Sequence, residues 1–187
     1  MFIVVSASVY AGKNDFSVIK NGPAFDTTKS KSFLDFTALK RNIIETLTPE
    51  HFRYSILLGI PVEDIYDVHL FQFVTDWYKT KYKFGGASKS GTDCSGFMQQ
   101  LYKQVYAFPL ARVVPEQFGQ CTPLTREQLR PGDLVFFHTT RKGLSHVGMY
   151  LGNNKFVHSG TRTGVTIDDL NDPYYKKTFR AGGRVKI

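Results

Sequence analysis

The spacing of hydrophobic residues changes near Pro131-Gly132-Asp133, and this change constrains the fold of the chain more than any other feature. Before that point, apolar side chains recur every three to four residues, which is the period of an amphipathic helix. After it, short β-rich runs alternate with turn residues. The predicted helices are residues 33–58 (interrupted at Pro49), 69–80 and 94–106. The predicted strands are residues 134–138, 145–152, 155–160, 164–167 and 179–187. Helices followed by a group of strands predict an α+β fold.

The composition excludes several classes of protein. Of the 187 residues, 42% are hydrophobic, which is enough to bury a core, so we do not expect a disordered chain. No run of about 18 apolar residues occurs, so no transmembrane helix is expected. The two cysteines, Cys94 and Cys121, are too few for a disulfide framework and match no common zinc-binding spacing.

The positive charge is concentrated in the second part of the chain. The net charge is +8, and residues 1–68 carry 7 basic and 8 acidic side chains of the totals of 24 and 16. Residues 69–187 therefore hold the basic excess, which favours an anionic partner. Nucleic acid and an acidic cell-wall polymer both fit this charge. Because the basic residues form no run and no nucleic-acid-binding signature is present, we do not expect nucleic acid.

The pattern divides the chain into three parts. Residues 1–11 include a short apolar stretch that ends in small residues, and they read equally as a signal peptide or as a buried N-terminal strand. Residues 12–68 begin with a polar loop and continue as a mainly helical extension whose role the sequence does not indicate. Residues 69–187 contain the candidate chemistry and form the predicted catalytic domain.

Cys94 is the first candidate for chemistry. It follows Gly91-Thr92-Asp93 and begins a predicted helix, so its thiol would lie at the positive end of the helix dipole. The dipole and the free backbone N–H groups there predict a lowered thiol pKa and a stronger nucleophile at neutral pH. The alternative is a buried structural cysteine, which is the commoner fate of a single cysteine. Cys121 precedes Pro123 in a loop-like stretch and is interpreted as structural.

Two histidines could assist such a thiol. Strand alternation places His146 on the face of its strand opposite the aliphatic residues, and His158 lies in the next predicted strand. Adjacent antiparallel strands would bring the two imidazoles side by side, with His146 as the base and His158 as the group that orients it. The alternatives are ordinary core or surface histidines, or a zinc site formed by Cys94, His146 and His158. The zinc site is disfavoured because no second thiol or carboxylate follows in register.

Five short motifs add a more specific signal. They are Tyr82-Lys83-Phe84-Gly85-Gly86, Thr92-Asp93-Cys94-Ser95-Gly96-Phe97, residues 129–137 (LRPGDLVFF), Ser145-His146-Val147-Gly148-Met149-Tyr150 and Phe156-Val157-His158-Ser159. In this order and spacing, over roughly residues 69–187, they resemble the NlpC-type family of papain-like bacterial cell-wall peptidases. Residues 1–68 carry no resemblance that we can name. One stretch departs from the family pattern: Arg112 is displaced within a loop that is about two residues longer, a tolerable surface insertion.

The resemblance implies a fold and a set of roles. The fold is a compact papain-like α+β domain in which the nucleophile helix packs on an antiparallel sheet. By position, Cys94 is the nucleophile, His146 the general base and His158 the orienting third member. The resemblance assigns substrate binding to Tyr82, Asp93, Ser95 and Ser145. Neither a metal nor an organic cofactor is expected.

The resemblance also implies a substrate. The expected reaction is hydrolysis of peptidoglycan stem peptides or muropeptides, typically between γ-D-glutamate and diaminopimelate or lysine, by a periplasmic or secreted enzyme. A monomer is expected. Two other functions remain open: a papain-like amidase, transglutaminase or acyltransferase with another substrate, and a catalytically silent module that binds the cell wall.

Overall fold

The computed structural model describes residues 47–59, 61–62, 65, 67–139 and 143–187. The alternatives for residues 1–11 and the predicted helix from residue 33 to Pro49 therefore lie mostly outside the described residues. The helix expected to begin after Thr48 is present, with Pro49 in its first turn and Gly59 in a left-handed conformation at its end. Among the described residues, no helix is long and apolar enough to cross a membrane.

Each helix that the sequence predicts within the described residues is present in the structure. They are α1 (Pro49–Leu58), α2 (Val68–Trp77), α3 (Cys94–Val105), α4 (Val114–Gly119) and α5 (Pro173–Thr178), and a 3-10 turn is formed at Arg126–Gln128. The helix predicted over residues 94–106 corresponds to α3 and begins at Cys94 itself. The helix predicted over 69–80 corresponds to α2, which ends three residues earlier because Tyr78 leaves the helical conformation.

A six-stranded antiparallel sheet forms the other layer of the fold. The strands are β3 (Cys121–Leu124), β4 (Leu134–Phe137), β5 (His146–Gly152), β6 (Lys155–Gly160), β7 (Gly164–Asp169) and β8 (Phe179–Val185), and a small separate hairpin consists of β1 (Ala87–Ser88) and β2 (Gly91–Thr92). Their order across the sheet is β3-β8-β4-β5-β6-β7. The structure therefore confirms the α+β fold with a helix packed on an antiparallel sheet.

Helix α3 packs its apolar face on the centre of this sheet. Phe97, Met98 and Leu101 are completely buried, and on the sheet side Val147 and Met149 are also completely buried. These sheet residues alternate along β5, so the intervening residues point to the opposite face. On that second face a smaller apolar cluster forms, with Val135, Phe137, Phe156 and Leu170 as its buried members. Both faces of β5 are therefore covered, and α3 is fixed against the strands that carry the two candidate histidines.

The sequence did not indicate every element. Cys121–Leu124 was interpreted as loop-like because it contains Pro123, but it forms β3 at the edge of the sheet, where β8 is its one partner among the described strands. An edge strand tolerates proline because one side of its backbone makes no ladder hydrogen bonds. The helices α4 and α5 span six residues each, too few for a helical period to be recognised.

The contact between α3 and α2 generates a stability prediction. The Phe97 ring lies 5.8 Å from the ring centroids of both Phe73 and Trp77. Replacing Phe97 by Ala leaves a cavity in this buried aromatic cluster, so we expect a loss of about 3–5 kcal/mol in the free energy of urea unfolding. The matched control is Phe52→Ala in α1, where the ring is 51% exposed and a change within about 0.5 kcal/mol is expected. Equal losses in the two variants would contradict the packing described here.

Candidate active site

Asp93 fixes the position at which α3 begins. It is the N-cap residue, and its Oδ1 accepts a hydrogen bond of 2.7 Å from the backbone N–H of Gly96. Its Oδ2 accepts another, of 2.8 Å, from the N–H of Gly85 in the preceding loop. A carboxylate at this position satisfies an orphan donor of the first helical turn and complements the helix dipole. Cys94 is therefore held as the first residue of α3.

The loop at Gly86 lies directly against this first turn. A Cβ added to Gly96 would collide with the carbonyl oxygen of Gly86, so only glycine allows the two backbones to approach this closely. The same carbonyl oxygen accepts a hydrogen bond of 3.1 Å from the N–H of Asp93. The close approach expected for Gly96 from the sequence is thus an approach of the protein's own backbone.

Arg112 completes the polar network around the helix start. Its guanidinium donates to Oδ1 and Oδ2 of Asp93, at 3.0 and 2.7 Å, in a bidentate ion pair. It also donates to Ser95 Oγ at 3.0 Å and to the carbonyl oxygen of Gly86 at 3.2 Å. Burial raises the pKa of Asp93, but the hydrogen bonds from Arg112, Gly96 and Gly85 outweigh it, and the net pKa is lowered. Asp93 is therefore ionised at neutral pH although it is buried.

The two predicted histidines are adjacent. His146 Nε2 and His158 Nδ1 are 2.9 Å apart, and their rings are nearly perpendicular. Gly148 lies two residues after His146 on the same face of β5, where a Cβ would lie 2.8 Å from Phe156 Cδ2 and 3.1 Å from His158 Cβ. The absence of a side chain at Gly148 makes room for the Phe156 ring and for the backbone of β6 that carries His158. Strand alternation thus predicted the pairing correctly.

A hydrogen bond also joins the sheet to Thr92, the residue before the N-cap residue Asp93. The hydroxyl of Ser159, next to His158 in β6, donates to the carbonyl oxygen of Thr92 at 2.9 Å. Both residues are completely buried. This bond fixes the strand that carries His158 against the turn that leads into Cys94, so the two parts of the site cannot separate without losing a buried hydrogen bond.

Cys94, His146 and His158 line one cleft of about 790 Å³. Tyr82 and Ser145, both predicted to bind substrate, line the same cleft. The backbone N–H groups of Val147, Ser95 and Cys94 itself favour the ionised form of the thiol and so act to lower its pKa. The predicted nucleophile and the predicted base therefore face the same space, and that space is large enough for a peptide segment.

The other two predicted substrate-binding residues face an adjoining cleft. Asp93 and Ser95 line a depression of about 440 Å³, together with Arg112, and Tyr82 and Cys94 border both spaces. Ser95 Oγ donates to Asp93 Oδ1 at 3.3 Å in addition to accepting from Arg112. In this structure the polar contacts of both side chains are internal to the protein.

Burial sets the protonation states of the site. It raises the pKa of the Cys94 thiol, and the neighbouring charge of Asp93 adds to this, while the surrounding backbone N–H groups act in the opposite direction. Burial also lowers the pKa of His146 to about 3, with a smaller contribution from His158. The lowered thiol pKa expected from the helix dipole is therefore wrong for the unliganded protein, because desolvation outweighs the dipole. The neutral thiol and the neutral imidazole are the favoured forms.

Sequence reasoning missed three side chains of the site. Asp168 Oδ2 lies 2.9 Å from His158 Nε2, and the hydroxyl of Tyr175 donates to the same oxygen at 2.7 Å. Arg112, treated as a displaced family residue, reaches the nucleophile turn. A carboxylate one residue past a predicted strand was a possible signal for Asp168, whereas nothing in the pattern indicated Tyr175.

The zinc alternative does not fit the arrangement of the histidines. His158 uses one ring nitrogen toward His146 and the other toward Asp168. No nitrogen of His158 remains to point at a metal shared with Cys94. Within the part of the chain that the structure describes, no group of three or more His, Cys, Asp or Glu side chains is arranged to hold a metal ion.

Comparison with known proteins identifies relatives of this domain. A sequence model of the NlpC/P60 family matches residues 79–184. The chain is 43% identical over 110 residues to "Murein DD-endopeptidase MepS/Murein LD-carboxypeptidase" of Escherichia coli (strain K12), an alignment that covers 59% of this chain and 58% of that protein. It is 40% identical over 133 residues to "Probable endopeptidase NlpC homolog" of Haemophilus influenzae (strain Rd), covering 71% of this chain and 67% of that one.

A solved structure shares the fold. An NLP/P60 family protein from Staphylococcus aureus, described as similar to lipoprotein, superposes with a TM-score of 0.57 and 32% sequence identity. The superposition covers 62% of this chain and 40% of that one. The chain spans little more than half the length of the first of these relatives.

The partly buried imidazole of His146 generates a prediction about stability and pH. Because the pKa of His146 is about 3 in the folded protein and near 6.5 when unfolded, the unfolded chain binds more protons between these values. The free energy of unfolding should therefore rise with pH through this window and fall on acidification. In His146→Gln this dependence should be weaker, as measured by urea unfolding between about pH 4 and pH 7.

The control for this measurement is His69→Gln, at an exposed position of α2. It should retain the pH dependence of the wild-type protein. A wild-type and a His146→Gln protein with the same pH dependence would contradict a neutral His146.

Proposed function

This chain belongs to the NlpC/P60 family, and on that premise we propose that it is a cysteine peptidase that hydrolyses stem-peptide bonds of peptidoglycan. The observation that carries the proposal is the shared cleft: the Cys94 thiol and the imidazole of His146 face one space, and His158 hydrogen-bonds the far nitrogen of His146. Nucleophile, base and orienting group in this order are the arrangement that nucleophilic acyl transfer requires.

The protonation states lead to a specific sequence of proton transfers. Because the thiol and the imidazole are both neutral at rest, His146 takes the thiol proton as Cys94 Sγ attacks the carbonyl carbon of the scissile amide. The resulting imidazolium then protonates the leaving amine, and a thioester remains on Cys94. A water molecule, deprotonated by His146, attacks the thioester and releases the carboxylate product. His158 stabilises the transient positive charge on His146 through its hydrogen bond.

The start of α3 also supplies a site for the oxyanion. The backbone N–H groups of Cys94 and Ser95 favour negative charge at the sulfur, and the helix dipole acts in the same direction. Tyr82 borders the same space. Burial raises the pKa of its hydroxyl, as do the neighbouring Cys94 and Asp93, so Tyr82 keeps its proton and can donate it in a hydrogen bond. We assign it this supporting role.

Several bonds of the stem peptide are candidates for cleavage. The family resemblance favours the amide between γ-D-glutamate and diaminopimelate or lysine. The name of the Escherichia coli relative refers instead to a D,D bond and to a terminal L,D bond. We propose the γ-D-glutamyl bond as the site of cleavage. The enzyme would then act where peptidoglycan is found, in the periplasm or outside the cell, as a monomer on muropeptide or polymer.

The role of Cys94 can be tested on defined muropeptides. Tripeptide and tetrapeptide muropeptides and a cross-linked dimer are incubated with the full chain, and the products are identified by mass spectrometry. The mass of each product reports which of the three bonds was cleaved. Cys94→Ala should lower the rate of product formation by more than about 10³-fold, because no other group can form the thioester.

Cys121→Ala is the matched control for loss of a thiol. Cys121 is buried, and its thiol donates to the carbonyl oxygen of Gln117 at 3.2 Å, away from the cleft. Burial raises the pKa of this thiol to about 12, so it is not a nucleophile at neutral pH. Undiminished turnover by Cys94→Ala would refute the assignment. Products formed by transfer to an added amine, without hydrolysis, would indicate an acyltransferase instead.

A further inference from the structure

A chain of hydrogen bonds continues from the histidines to the edge of the sheet. It runs from His146 in β5 to His158 in β6, to Asp168 in β7 and to Tyr175 in α5, with separations of 2.9, 2.9 and 2.7 Å. Tyr175 Oη also lies 3.3 Å from His158 Nε2. Four side chains from four different elements thus form one connected row behind the cleft.

Asp168 is the acceptor whose chemistry determines the positions of the protons on the two histidines. An ionised carboxylate can only accept hydrogen bonds, so His158 must carry its proton on Nε2 to bond Asp168. A neutral His158 then has a lone pair on Nδ1, and His146 must carry its own proton on Nε2 to donate to it. The Nδ1 of His146 is left without a proton. This tautomer is the one that can accept the proton of the Cys94 thiol.

The surroundings keep Asp168 ionised. The hydrogen bond from His158 lowers the pKa of this carboxyl, and the bond from Tyr175 lowers it further, against the opposing effect of burial. The hydroxyl of Tyr175 keeps its proton, because burial and the Asp168 carboxylate both raise its pKa. Arg162 lines the active-site cleft together with Asp168. Lys155, Asp169 and Asp172 line the surface depression that Asp168 also borders.

These neighbours have partners of their own. Lys155 Nζ lies 2.9 Å from Asp169 Oδ2, and Asp172 caps α5 by accepting from the N–H of Tyr174 at 2.8 Å. Asp168 is therefore directed at His158 and Tyr175. The ring of His158 is also fixed, because Phe156 stacks on it at 5.0 Å and Tyr175 meets it edge-on at 5.5 Å.

We propose that Asp168, held by Tyr175, is a positioning residue that fixes the tautomers of both histidines and thereby makes His146 Nδ1 the base for Cys94. Asp168 acts through His158 and does not touch the substrate. The inference rests on the proposed peptidase function, and it extends the triad inferred from the sequence by two residues that the sequence did not indicate.

The first test observes the tautomers without any substrate. Long-range ¹H–¹⁵N spectra of the full chain distinguish imidazoles protonated on Nε2 from those protonated on Nδ1, and the signals are assigned with His146→Gln and His158→Gln. In the wild-type protein at neutral pH, both histidines should be protonated on Nε2. A wild-type His146 that carries its proton on Nδ1 would overturn the proposal.

The second test replaces the carboxylate. In Asp168→Asn, the amide offers a donor as well as an acceptor, so it no longer forces the proton onto His158 Nε2. We expect part of the His146 population to move to the Nδ1–H form. We also expect kcat to fall by at least about 10-fold, with a much smaller change in KM, because the loss affects the base and not substrate binding. Asp169→Asn is the matched control at the next position, and it should leave both the tautomers and kcat unchanged.

The combined outcomes separate this inference from the proposed function. If the wild-type protein cleaves no muropeptide, the peptidase assignment fails, while the spectra still report on the tautomers. If the wild-type protein is active and Asp168→Asn matches Asp169→Asn in kcat, the positioning role is overturned. A fall in kcat without any change in the tautomers would equally overturn it, because the effect would then arise from another cause. Tyr175→Phe, which keeps Asp168, should give a smaller loss of kcat than Asp168→Asn.

Discussion

The ion pair between Asp93 and Arg112 is the contact on which the geometry of the cleft depends. The same carboxylate caps α3, bonds the loop at Gly85 and receives the guanidinium. Removing either partner would leave a buried charge or an uncapped helix, and either change costs more than the pair itself contributes. The position of Cys94 is thus determined by a residue that need not take part in the reaction. The departure from the family pattern noted at Arg112 did not prevent the arginine from reaching this turn.

The second determinant of the site is exclusion of water. The dipole of α3 and the backbone N–H groups favour a thiolate, but Cys94 is only 6% exposed and desolvation acts more strongly in the opposite direction. The same desolvation keeps His146 neutral. In the proposed mechanism the neutral Cys94 thiol gives its proton to His146, so the unprotonated nitrogen of His146 must be correctly oriented. For this reason the hydrogen bonds behind His146 matter more here than they would beside a thiolate–imidazolium pair that already exists at rest.

Much of this architecture could be predicted from the sequence, for identifiable reasons. The positions of Cys94, His146 and His158 depend on where a helix begins and on which face of a strand a residue lies, and both are local properties of the pattern. The short motifs then indicated the family. The strand β3 and the helix α5 were missed because one contains a proline and the other has only six residues.

The contacts of Arg112, Asp168 and Tyr175 could not be predicted, because they join side chains of different elements whose relative placement no local pattern encodes. Arg112 reaches back 19 residues to Asp93, and Tyr175 meets an acid from another element through a side-chain direction that no periodicity encodes. The raised thiol pKa was missed for a related reason. Burial depends on the whole packed domain, whereas the helix dipole can be inferred from the local sequence.

Within the part of the chain that the structure describes, β7 is the outermost strand on its side of the sheet and pairs only with β6. Asp168 therefore belongs to the periphery of the fold, with its side chain 34% exposed, although it connects through two rings to the centre of the cleft. Peripheral strands accept substitutions that central strands do not, since fewer neighbours must repack. Substitutions in β7 could consequently change the basicity of His146 while the packing of α3 on the sheet stays intact.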